Sequence, residues 1–114
     1  MIRKVGRLRL PYLGFVTTKR ALNTVYTNGS RRRLVIVSVY LQTGSSIDYA
    51  IATFQSPAKN VITGYQSQAR LEGVVGKIMV PVWGVVNPME TYRVLANASP
   101  RGSVTIAYWT EVDL

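Results

Sequence analysis

Residues 34 to 41 read LVIVSVYL, and no other stretch of the chain restricts the fold as much. Four of these eight residues are β-branched, which disfavours a helix and suits a pleated strand. Yet the run does not alternate. Both faces of the strand are apolar, so it must be covered twice, by the core on one side and by another element or subunit on the other. Three arginines, Arg31, Arg32 and Arg33, stand directly before it.

The rest of the chain supports an all-β reading. Val, Ile, Thr and Tyr dominate, and turn residues punctuate the sequence about every ten positions, the pattern of an antiparallel β-sandwich or barrel. The last twelve residues, SVTIAYWTEVDL, alternate with period two. Val104, Ile106, Tyr108, Thr110, Val112 and Leu114 form the face predicted to turn inward, and Thr105, Ala107, Trp109, Glu111 and Asp113 the other. Residues 89 to 96 (METYRVLA) alternate too, with Tyr92 and Val94 opposite Arg93, after a turn at Asn87-Pro88. SIDYAIATFQ places Ile47, Tyr49, Ile51 and Thr53 against Asp48, Ala50, Ala52 and Phe54. KIMVPVWGVV is expected to form two strands, or one bent strand, broken at Pro81 or Gly84, and SPAKNVITGYQSQ a loop or ragged edge strand. Before residue 20 the pattern weakens. The chain therefore divides into an extended basic arm or edge strand over 1–19 and a sandwich domain over 20–114.

Little here suggests chemistry. The 114 residues contain no cysteine and no histidine, which removes thiolates, the usual general base and the commonest metal ligand. Glu111 and Asp113 share a strand face without a third ligand, and GVVGKI lacks the spacing of a phosphate-binding loop. No catalytic residue, metal or cofactor is nominated, and no enzyme is expected. The first residues lack the apolar core of a signal peptide, and VVGKIMVPVWGVV is shorter than the ~20 residues of a spanning helix, so no membrane partner is expected.

Charge is the stronger signal. The net +9 lies wholly in residues 1–33, which hold Arg3, Lys4, Arg7, Arg9, Lys19, Arg20, Arg31, Arg32 and Arg33 and no acid; the remaining five bases and five acids cancel. Such asymmetry marks contact with something anionic, with solubility alone as the plainer reading. In the arm, Arg3, Lys4, Arg7 and Arg9 would pair with carboxylates of a partner while Leu8, Leu10 and Tyr12 fill grooves or add a strand to a neighbouring sheet. Neutralising nucleic-acid phosphates and simple solvation are the competing readings. Strand alternation would point Arg31 and Arg33 one way and Arg32 the other, leaving at least one in solvent. The aromatics fall beside Val and Ile, as core residues do. Trp109, on the face with Glu111 and Asp113, is expected to be partly exposed at a subunit interface together with Val37 and Val39.

Three stretches carry a resemblance: RALNTVYTNGSRRRLVIVSVY, KIMVPVWGVVNPMETYRVLANA and VTIAYWTEV. From about Arg20 onward the chain resembles a bacteriophage virion domain found at tail-fibre and tail-tip ends and in small virion proteins. The resemblance implies a jelly-roll-like sandwich working as a homo-oligomer on a virus particle, without catalysis. It departs from the pattern in its three arginines after YTN and in having only twenty residues upstream. That short lead favours a decoration (cement) protein on the outer capsid, whose partner is the major capsid protein or another virion protein with an acidic surface. The alternatives are a tail-tip or receptor-binding domain and a nucleic-acid-binding module that uses the basic third.

Overall fold

β-Branched and aromatic residues in runs cut by Gly, Pro, Asn and Ser build strands joined by short turns. The computed structural model describes residues 19–58 and 65–114, and among them are seven strands and no helix. They are β1 (Tyr26–Thr27), β2 (Arg33–Thr43), β3 (Tyr49–Gln55), β4 (Tyr65–Glu72), β5 (Gly76–Val86), β6 (Thr91–Ala98) and β7 (Ser103–Asp113). Two antiparallel sheets form, one ordered β1-β6-β3-β4 and the other β5-β2-β7. Their inner faces share one core of Val35, Val37, Val39, Leu41, Ala50, Ala52, Phe54, Val82, Val86, Tyr92 and Val94, all fully buried. The chain is an all-β sandwich. Residues 1–18 of the expected basic arm lie outside the described residues.

β2 is central in its sheet, and its odd-numbered residues from Val35 to Leu41 supply four of those eleven core residues. Val37 and Val39 therefore have no side-chain surface left for a second copy. Gly84 explains why the sheets meet closely at β5, because a Cβ there would strike the Phe54 ring and the Gln66 side chain.

Two expectations are corrected. KIMVPVWGVV lies within one unbroken strand, β5, paired with β2 from Val86 to Gly76 without a register shift. Trp83 and Val85 send their backbone N–H groups outward, to Ser67 Oγ and Gln66 Oε1. Pro81 shares their parity, so its missing N–H removes no bond to β2. The second correction concerns β7. Ser38 pairs with Tyr108 but Val39 with Ile106, so Ala107 is an extra residue, a β-bulge. The bulge reverses the inward face. Val104 faces the core before it and Trp109 after it, while Tyr108 is 66% exposed.

Candidate functional site

The reversal in β7 carries Glu111 inward, where it is completely buried at one end of the sandwich. A lone carboxylate there would be prohibitively desolvated. Instead it accepts from four side chains. Arg33 Nη1, Tyr92 Oη and Trp109 Nε1 each donate at 2.8 Å, and Arg20 Nε at 3.2 Å. Arg33 also donates through Nε to Asp113 at 2.8 Å, so one guanidinium spans both carboxylates. The Arg20 guanidinium lies 4.4 Å over the Tyr26 ring, which packs on Tyr92 and edge-on to Trp109.

The electrostatics follow from this geometry. Burial alone would raise the Glu111 carboxyl, but hydrogen bonds from Arg20, Trp109 and Tyr92 outweigh it and hold the group below the ordinary range. Burial, and donation to Glu111, push the Tyr92 hydroxyl up to about 12. A carboxylate so fully engaged is fixed in its charged form. It is a structural anchor, tying the segment before β1 and the start of β2 to the end of β7.

The anchor sets what lies outside it. Asn28, 2% exposed, donates through Nδ2 to the carbonyls of Arg31, Val86 and Asn87 at 2.7, 3.2 and 3.1 Å. Its Oδ1 accepts from the Gly29 N–H at 2.8 Å, and Met89 N–H donates to the Gly29 carbonyl. The turn between β1 and β2 is thus pinned to the turn between β5 and β6. β2 begins only at Arg33, so strand alternation does not govern the other two arginines. Arg33 turns inward to Glu111, and Arg31 and Arg32 are exposed, with no ion pair to any described residue. Because Arg20 and Arg33 share Glu111, their exposed neighbours Lys19 and Arg32 lie at the same end of the molecule. The result is a cationic corner.

Of the residues nominated from sequence, Arg31 and Arg32 lie at this corner and Arg33 beneath it. Trp109 packs against the core and bonds Glu111, so it belongs to the anchor. Val37 and Val39 are in the core, and Arg3, Lys4, Arg7, Leu8, Arg9, Leu10 and Tyr12 lie outside the described residues. Sequence reasoning missed Arg20, Asn28, Tyr92 and Glu111. Asn28-Gly29 is a turn signal, but nothing local announces that Glu111 is buried. Among the described residues no group of acids could hold a metal ion, and no pocket opens. Comparison with family models, with curated proteins and with solved structures finds no match to the chain.

Proposed function

We propose that this chain is a non-enzymatic structural protein of a bacteriophage particle, a decoration protein that binds the acidic outer surface of the capsid and reinforces the shell. The observation that carries the proposal is the cationic corner. Arg31 and Arg32 stand on a backbone that Asn28 fixes, so their approach to a partner is pre-organised and little ordering entropy remains to be lost on binding. Arginine suits the task, since its planar fork matches a carboxylate and is weakly hydrated. The phage assignment rests on the resemblance of residues 20 to 114. Its jelly-roll form draws support from nested pairing, β2 with β7 enclosing β3 with β6. The mechanism is bridging: each copy spans neighbouring shell subunits, so parting them also breaks the decorating contacts.

The full chain should coat empty capsids of its virus and raise their thermal rupture temperature. The double substitution Arg31→Glu/Arg32→Glu should lower that binding by at least tenfold and leave the sandwich folded. Full coating by the double variant would defeat the proposal. Imaging that places the chain at the tail would favour the receptor-binding reading, and steeply salt-dependent DNA binding without capsid binding the nucleic-acid one.

A further inference from the structure

The sandwich has two outer faces of opposite character. On the four-stranded sheet, Gln68, Arg70, Glu72 and Arg93 are laced by hydrogen bonds: Arg70 to Glu72 and Gln68, Gln68 to Thr53, and Arg93 to Gln55. The charged members of that face are paired with polar neighbours, and its Thr53 and Gln55 are buried. On the three-stranded sheet, β2 presents Leu34, Ile36, Ser38 and Tyr40, flanked by Met79, Pro81, Trp83 and Val85 of β5 and by Tyr108 and Val112 of β7. Trp83 and Met79 are each 52% exposed and Tyr108 66%. All seven strands belong to one sheet or the other, so no described strand lies over this face. No described strand covers the second apolar side of LVIVSVYL, and a monomer in water rarely leaves an apolar face of this scale open.

We infer that this face is the seam of a homodimer, the outer sheets of two copies packing face to face. The electrostatics favour a second copy over an acidic partner. The charged side chain on the face is Lys77, at one corner, and its ammonium sits 4.6 Å over the Tyr40 ring. Among the described residues, an acidic protein or a polynucleotide would meet no other cation on this face of the three strands. Two copies, each carrying +9, can approach through this face with their cationic corners kept at the periphery. The size is sufficient. Three strands ~4.8 Å apart and about ten residues long have a footprint of roughly 500 Å². Side-chain relief brings the accessible area toward the roughly 600–1,000 Å² per partner that specific interfaces bury. The edge of the sheet also directs association to its face. Gln66 and Ser67 of β4 occupy backbone groups of Trp83 and Val85, and Pro81 offers no N–H, so β5 is a poor template for edge-to-edge pairing.

The test is sedimentation equilibrium of the full chain, which does not depend on any capsid. The wild type should sediment at twice the 12.7 kDa monomer mass in the micromolar range. Trp83→Lys/Met79→Lys should sediment as a monomer with unchanged far-UV circular dichroism, and Ile47→Lys, at an 82% exposed apolar position in the turn before β3, should remain a dimer. Should the double variant misfold, acrylamide quenching of the wild-type tryptophan fluorescence reads the same seam, and quenching should increase several-fold on dilution through dissociation. A wild type that stays monomeric at hundreds of micromolar overturns the inference, whether Trp83 is then quenched freely or is shielded by the chain's own first eighteen residues. A dimer that persists in a folded double variant overturns it as well.

Discussion

Glu111 shows how much one residue settles. Its carboxylate holds Arg20 and Arg33, whose side chains are 19% and 17% exposed. Removing one partner of a buried ionic group leaves the other charges uncompensated, which costs about 3–5 kcal/mol. Glu111→Gln should therefore destabilise the sandwich by about 3 kcal/mol or more in urea unfolding, and a loss under 1 kcal/mol would contradict the anchor. The pH dependence has a definite sign. The folded carboxyl titrates below its ordinary 4.5, so its contribution is complete above that value and disappears as pH falls through the lower folded value. Asp48 behaves likewise: burial opposes its ionisation, but hydrogen bonds from Ser45, Ser99 and the Gly44 N–H overcome it. Wild-type melting temperature should drop on acidification below about pH 5, and Glu111→Gln should drop less over the same range because one of the two groups is gone. None of this is legible at the residue itself. An acidic side chain two positions from a tryptophan on a strand is assigned to water by default, and the four donors that reverse the assignment lie as far as 91 residues away in sequence.

At the level of elements, the edge of β5 carries its own prediction. The Gln66 side-chain amide donates to the Val85 carbonyl and accepts from the Val85 N–H, both at 2.9 Å, standing in for a missing strand. Gln66→Leu/Pro81→Val would free one pair of backbone groups and add an outward N–H beside another. Since water replaces most of the lost bonds, stability should fall by only about 1 kcal/mol. The exposed edge should instead appear as faster thioflavin-positive aggregation on warming, and unchanged aggregation kinetics would refute its protective role. The same strand shows why some elements are readable and others are not. Pro81 looks like a break because sequence does not say which side of a strand lies at an edge. β7 looks regular because one inserted residue, Ala107, leaves the period-two pattern intact on either side while reversing its meaning. β3 and β6 are strands as their alternation suggests, with Ala50, Ala52 and Phe54, and Tyr92 and Val94, buried. The pattern does not say which face is covered, and in β3 Thr53 and Gln55 of the opposite face are buried too. The doubly apolar β2 does announce two covered faces, but it cannot say that its even residues, not Val37 and Val39, are the ones left outside.

For the whole molecule, the proposed roles of the cationic corner and the apolar face are separable, and their coupling is measurable. The inferred dimer would hold two copies of Lys19, Arg31 and Arg32 together, and the proposed capsid partner would repeat its acidic sites across the shell. Once one corner is bound, the other meets its site at an effective concentration set by the dimer, which raises overall affinity by about 10²-fold or more if both sites are in reach. Trp83→Lys/Met79→Lys separates this avidity from simple attraction. The substitution adds two positive charges, so on electrostatics alone it should tighten binding to an acidic shell, most visibly at low salt. If the dimer is the binding unit, it should weaken binding instead, because each released monomer carries a single corner. Capsid coating measured against salt thus gives opposite signs. A fall of tenfold or more, alongside a corner variant Arg31→Glu/Arg32→Glu that remains dimeric yet fails to coat, would place recognition at the corner and avidity at the seam. Tighter coating by the monomeric variant would mean that charge alone governs attachment and that the dimer has no part in it.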